Sequence, residues 1–148
     1  MFEAALRRNE AKELPLTLLF GHSHEALAAA DIALVASGTA TLESALIKTP
    51  MVITYRQSPW SWLIMRRMGY LPYIGLPNVL AGERLVPEFL QDKATPGALA
   101  EALLALLQDA GAQRRQIEKF REIHAVLRQD TAQKAADAVL AVLDAGRA

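Results

Sequence analysis

A short polar sequence, Ser37-Gly38-Thr39-Ala40-Thr41, separates an apolar run from a helical pattern, and Glu43 follows two residues later. These residue types at such a junction suit an anion. Ile32 to Ala36 is an apolar run of the kind buried on both faces of a parallel sheet. From about Ala40 the pattern turns helical, with Leu42, Ala45 and Leu46 on one side. Gly38 lacks a Cβ, so its backbone can take an unusual conformation or approach a ligand closely. A strand that passes through small polar residues into a helix aims free N–H groups and the positive end of the helix dipole at one point, a place for phosphate. Glu43, expected in the first helical turn, either complements the dipole or accepts ribose hydroxyls beside bound phosphates. An ordinary strand–loop–helix joint has the same pattern, and both readings stay open.

Other groups are weaker candidates. His22 and His24 are spaced like two metal ligands, but no carboxylate or cysteine stands at a matching spacing, so no metal site is expected. His124 falls on a basic helix face and reads as structural. Ser37 lacks the G-x-S-x-G setting of a hydrolase nucleophile. The segment 60–68 carries Trp60, Trp62, Leu63 and Met65 over more than half its helical circumference, interrupted by Arg66 and Arg67. Large apolar residues flanked by arginines suit an anionic lipid surface or an acyl chain, and equally a helix buried by a neighbouring chain. Arg114, Arg115, Lys119, Arg121 and Arg128 outnumber Glu118 and Glu122 and read as a solvated face.

The elements that position these residues alternate. A helix is expected over 2–13, then a strand at Leu16–Phe20 and a helix at 24–30 capped by Ser23. After the central strand and helix, Met51–Tyr55 is a third strand, and Ser58-Pro59 opens a helix. Tyr73–Gly75 reads as a short fourth strand closed by Leu76-Pro77-Asn78, and no strand is expected beyond residue 78. Leu85, Val86, Phe89 and Leu90 suggest a short helix. Thr95-Pro96 caps another, with Leu99, Leu103, Leu106 and Leu107. Helices at about 112–128 and 131–145 follow, the second capped by Asp130 with Gln133 reaching back. The fold class is α/β: a parallel sheet followed by a helical tail.

Composition narrows the function classes. With 148 residues the chain fits one domain, and 16 basic residues cancel 16 acidic ones, which argues against a nucleic-acid partner. The absence of cysteine excludes disulfides, thiolate metal sites and a cysteine nucleophile. No apolar run approaches the roughly 18 residues of a membrane span. Met1–Arg8 has no apolar core of a signal peptide, so a soluble chain is expected.

Ser37-Gly-Thr-Ala-Thr-Leu-Glu43, Pro50-Met-Val52, Tyr55-Arg56, Leu76-Pro-Asn-Val-Leu-Ala-Gly82 and Val86-Pro-Glu-Phe-Leu-Gln91 occur in this order, and with them the chain strongly resembles lipid-A-disaccharide synthase from about residue 2 to 146. The Leu-Pro-Asn-x-Leu-Ala-Gly string is specific to that family; Ser-Gly followed by Glu is shared more widely among sugar-nucleotide enzymes of the GT-B fold. The resemblance implies a truncated UDP-sugar-binding domain at 1–110, a partial Rossmann-like sheet of the GT-B C-terminal domain, and at 111–148 the helices that in GT-B enzymes pack back on the N-terminal domain. It implies a hexosyltransferase joining UDP-2,3-diacylglucosamine to 2,3-diacylglucosamine 1-phosphate, a lipid acceptor, without metal or other cofactor.

The resemblance also assigns residues. Ser37, Gly38, Thr39, Ala40 and Thr41 would hold the UDP diphosphate, Glu43 the ribose, and Asn78, Glu88 and Gln91 the donor-sugar or diphosphate region, with Asn78 at the carboxyl end of the last strand. Trp60, Trp62, Leu63, Met65, Arg66 and Arg67 would meet acyl chains or the membrane. Family members are more than twice this length, so the chain reads as a fragment, inactive alone, whose catalytic carboxylate belongs to an N-terminal domain outside it. A homo-oligomer on the anionic inner-membrane surface of a Gram-negative cytoplasm is the expected setting. A UDP-sugar epimerase-like relative and a non-catalytic nucleotide-binding or assembly module are the alternatives.

Overall fold

In the computed structural model, residues 14–36, 38–58, 60–63 and 72–145 are described. The expected helix at 2–13, Ser37, Pro59, Met65, Arg66 and Arg67 lie outside them. The elements run α1 (Ser23–Ala29), β1 (Ala33–Ala36), α2 (Thr39–Ile47), β2 (Met51–Tyr55), α3 (Leu76–Ala81), β3 (Glu88–Leu90), α4 (Pro96–Gln108), α5 (Ala110–Leu127) and α6 (Thr131–Ala145). Residues 60–63 add a helical turn. The strands form a parallel sheet in the order β1-β2-β3, with Val35 opposite Ile53 and Ile53 opposite Glu88. This is the α/β fold expected: a Rossmann-like parallel sheet followed by helices.

β2 is the buried centre, since Met51, Val52 and Ile53 are fully inaccessible. Met51 and Ile53 point to the face where Val35, Ala45, Val86, Phe120 and Ile123 complete one core. Phe120 and Ile123 belong to α5, so that helix is part of the sheet's own packing. Gln116 explains how it docks. Its buried Oε1 accepts from the Met51 N–H (2.9 Å) and its Nε2 donates to the Met51 carbonyl (3.4 Å), pairing the first residue of β2 as a neighbouring strand would. β1 departs from expectation. Val35 is buried but Leu34 is 45% exposed, because β1 is an edge strand with only one face covered among the described residues.

Three strand or helix assignments need correction, and long-range contacts enter each of them. Leu16–Phe20 is exposed irregular chain, with Phe20 85% accessible; it has strand-forming residues but no ladder partner among the described residues. Tyr73–Gly75 is not a strand, because the N–H groups of Ile74 and Gly75 donate to the Glu88 carboxylate (3.2 and 2.9 Å). The helix expected through Leu85–Leu90 is replaced by β3, so the strands do not stop at residue 78. Pro87 disfavours helix at Val86, and its carbonyl accepts from the Ile53 N–H (2.9 Å), drawing the chain onto β2. Leu76-Pro77-Asn78, read as a closing turn, opens α3 with proline in its first turn.

The caps were more local and fared better. Thr95 Oγ1 accepts from Ala98 N–H (3.2 Å) and Asp130 Oδ1 from Gln133 N–H (3.1 Å). The Gln133 side chain, however, reaches forward to Asp137 (2.8 Å), not back. Ser23 is the first helical residue of α1, with His22 in the cap position. Replacing Gln116 by Ala strands both backbone groups of Met51 in the core, so urea unfolding should lose about 1–3 kcal/mol. A loss within a few tenths would remove Gln116 from the docking of α5.

Candidate functional site

The first half of the site is the turn from β1 into α2. Gly38 has φ 135° and ψ −161°, a conformation held almost only by glycine, and no atom lies within 4 Å of the place a Cβ would occupy. It sits in the cap position without a side-chain hydrogen bond. Thr41 turns inward: its N–H (3.2 Å) and its buried hydroxyl (2.7 Å) both donate to the Gly38 carbonyl. The N–H groups of Thr39 and Ala40 have no partner among the described residues, and both residues are exposed. Among the described residues, two donors at a helix start therefore have no protein partner. Glu43 is not in the first turn as expected, because α2 already begins at Thr39. At that position it stands beyond the first turn, where a carboxylate best complements the helix dipole. It stays 42% accessible, with His24 Nε2 at 3.9 Å.

The second half lies across β2, about 10 Å along the carboxyl edge at one strand spacing of ~4.8 Å per step. There a cleft of 550 Å³ is lined by Trp62, Tyr73, Glu88, Leu90, Gln91 and Lys93, among others. Gln91 follows β3 with a left-handed φ of 51°. Its side chain is fixed to Gln57 at the end of β2, accepting from the Gln57 N–H (2.6 Å) and donating to the Gln57 carbonyl (3.1 Å). Gln57 went unnoticed in the sequence, where nothing local links it to a residue 34 positions away.

Asn78 requires a change of place. It is not at the end of a strand but inside α3, fully buried. Its carbonyl accepts from Val86 N–H (2.7 Å), and its Nδ2 donates to the Val86 carbonyl (2.8 Å) and to Glu88 Oε1 (2.8 Å). The Glu88 carboxylate thus receives Asn78 together with the Ile74 and Gly75 N–H groups, and it stands where a helix start favours negative charge. Gly75 leaves the space this requires, for a Cβ there would lie 2.9 Å from Glu88 Oε1 and overlap the Ile53 side chain.

The remaining candidates separate. His22 turns to Glu25 (3.4 Å) and His24 towards Glu43. A bond from its own backbone N–H, with His22 adding to it, holds the Glu25 carboxyl below its ordinary range. No group of three metal-ligating side chains occurs among the described residues. Trp60 is 78% exposed, Leu63 is also exposed and Trp62 is half-buried. No helix among the described residues is long and apolar enough to cross a membrane.

A family model described as "Lipid-A-disaccharide synthetase" matches residues 2–142. The chain belongs to that family. It is 58% identical over 143 residues to the lipid-A-disaccharide synthase of Dechloromonas aromatica and 57% identical over 143 residues to that of Azoarcus sp.. The corresponding protein of Aromatoleum aromaticum is 55% identical over 144 residues. Each alignment covers 97% of this chain, which spans 37% of the length of these curated relatives. The Leu-Pro-Asn string that carried the resemblance is the start of α3, where Asn78 binds the backbone ahead of β3.

Replacing Asn78 by Ala leaves the Val86 N–H and carbonyl unpaired in the interior. Chemical denaturation should show a loss of about 2–4 kcal/mol. Unchanged stability would mean that Asn78 acts on a ligand and not on the fold.

Proposed function

We propose that this chain is the donor-binding part of a GT-B glycosyltransferase of lipid A biosynthesis. It holds UDP-2,3-diacylglucosamine while the sugar passes to 2,3-diacylglucosamine 1-phosphate and UDP departs. The observation that carries the reading is the pair of open N–H groups at Thr39 and Ala40, presented by Gly38 at the carboxyl edge of a parallel sheet. Ser37 to Thr41 hold the diphosphate; within this run Thr41 shapes the turn and Thr39 and Ala40 meet the oxygens. Glu43 accepts the ribose hydroxyls. Glu88 and Gln91 line the cleft that takes the donor sugar, and Asn78 orients Glu88. Charge growing on the departing UDP is met by the helix start, which needs no metal.

Binding should discriminate between parts of the donor. Glu43→Ala is expected to weaken UDP about tenfold while leaving pyrophosphate nearly unchanged, since one charge-assisted contact contributes about 1.5 kcal/mol. Equal losses for both ligands in a calorimetric titration would take the ribose away from Glu43.

The partners follow from what the chain exposes. Residues 1–110 are assigned to the donor domain, and the helices of 111–148 are the candidates for returning to an acceptor domain. Because α5 has its apolar face in the core, that role falls on α6, whose Val139, Leu140, Val142 and Leu143 are all exposed. The same exposed face supports a homo-oligomer. Trp60, Trp62 and Leu63, with Met65, Arg66 and Arg67 following in sequence, are assigned to acyl chains and the anionic cytoplasmic surface of the inner membrane. The double variant Trp60→Ser, Trp62→Ser should lose most of its co-sedimentation with phosphatidylglycerol vesicles. Adhesion equal to that of the parent chain would refute a membrane role for this segment.

A further inference from the structure

The basic residues of α5 do not share one environment. Arg115 lies 3.9 Å from Asp109, and Lys119 is paired with Glu122 (2.8 Å) and Glu83 (3.8 Å). Arg121, His124 and Arg128 fall at i, i+3 and i+7 on one stripe, and none has a carboxylate within 4.0 Å among the described residues. Lys48 faces them from the end of α2. Its Nζ donates to the Leu46 carbonyl and to His124 Nδ1. With Nδ1 accepting, the His124 ring hydrogen is carried by Nε2. These four side chains and Ala125 line a cleft of 380 Å³. Its polar side-chain lining is made of hydrogen-bond donors.

Helix ends account for part of this cluster. Lys48 and Arg128 are the C-cap residues of α2 and α5, and His124 is in the last turn of α5, where carbonyls favour cations. Arg121 is not in that turn, so the helix end gives no reason for it. Three cations, Arg121, Arg128 and Lys48, stand around a neutral His124 with no carboxylate within 4.0 Å among the described residues, and an anion between them would balance their charge.

We propose that Lys48, Arg121, His124 and Arg128 form a binding site for a phosphate group. It is distinct from the turn at Gly38: the two lie at opposite ends of α2, about 13 Å apart for nine residues at ~1.5 Å each. The planar guanidinium groups of Arg121 and Arg128 offer paired donors to phosphate oxygens, and Lys48 adds a point charge. The phosphate comes either from an anionic lipid headgroup or from a soluble ion.

The test uses the 148-residue chain, the double variant Arg121→Gln, Arg128→Gln and the single variant Lys48→Gln. The arginines are exposed, so the double variant keeps the fold, verified by its unfolding midpoint. Inorganic phosphate titrated against the amide NMR spectrum should shift residues around 48 and 121–128, and either variant should weaken this at least about tenfold. Co-sedimentation with phosphatidylglycerol and phosphatidylcholine vesicles separates the sources. Phosphate shifts with no variant effect on vesicles assign a soluble ion. A severalfold loss of phosphatidylglycerol adhesion in the double variant, with Trp60 and Trp62 intact, assigns a lipid headgroup. Phosphate shifts confined to residues near Gly38, together with unchanged vesicle adhesion in both variants, would overturn the proposal. So would phosphate shifts near Lys48 and α5 that persist undiminished in both.

Discussion

The side chain of Asn78 holds the second half of the fold in place. Its amide satisfies both backbone groups of Val86, the task a neighbouring strand performs in a sheet, and its remaining hydrogen reaches Glu88. β3 is only three residues long and could not define its register by ladder bonds alone. With Val86 fixed, Pro87 meets Ile53 and Glu88 falls opposite it, so β3 ends where Gln91 can join Gln57. Asn78 is fully buried, and in that setting a lost partner leaves a polar group with no access to water.

Glu88 shows how the same network serves both fold and site. Its carboxylate is turned to the start of α3, receiving two backbone N–H groups and Asn78, yet it also lines the cleft beside Trp62 and Gln91. A charge fixed by three donors is a rigid feature of the cleft wall, which is what orientation of a ligand requires. The opposite half is built by the reverse strategy. Thr39 and Ala40 leave their donors unpaired among the described residues, and the glycine-only backbone conformation of Gly38 sets their direction. Among the described residues, one half of the carboxyl edge is satisfied internally and the other leaves two backbone donors without a partner.

How much was legible follows the range of the interactions involved. β1, β2, α2, the caps at Thr95 and Asp130 and the turn at Gly38 were readable, because hydrophobic period, capping residues and a glycine between strand and helix act within a few residues. The Leu-Pro-Asn string is readable as a family mark though not as a structure; its residue types suit a turn beside a strand, and it is a helix whose asparagine is turned into the core.

Only the tertiary structure decided the rest. Leu16–Phe20 and Tyr73–Gly75 have strand-like composition, but a strand exists by pairing, and their backbone groups find no ladder among the described residues. β3 exists because Asn78 and Ile53, distant in sequence, take the chain around Pro87. Gln116 and Met51 meet across 65 residues, and Lys48 and His124 across 76. The sequence by itself determined what each segment prefers and which family it belongs to. The folded chain determined which polar groups are paired in the interior and which remain free for a ligand, because hydrogen bonds and charges act over a few ångströms of space whatever their separation along the chain.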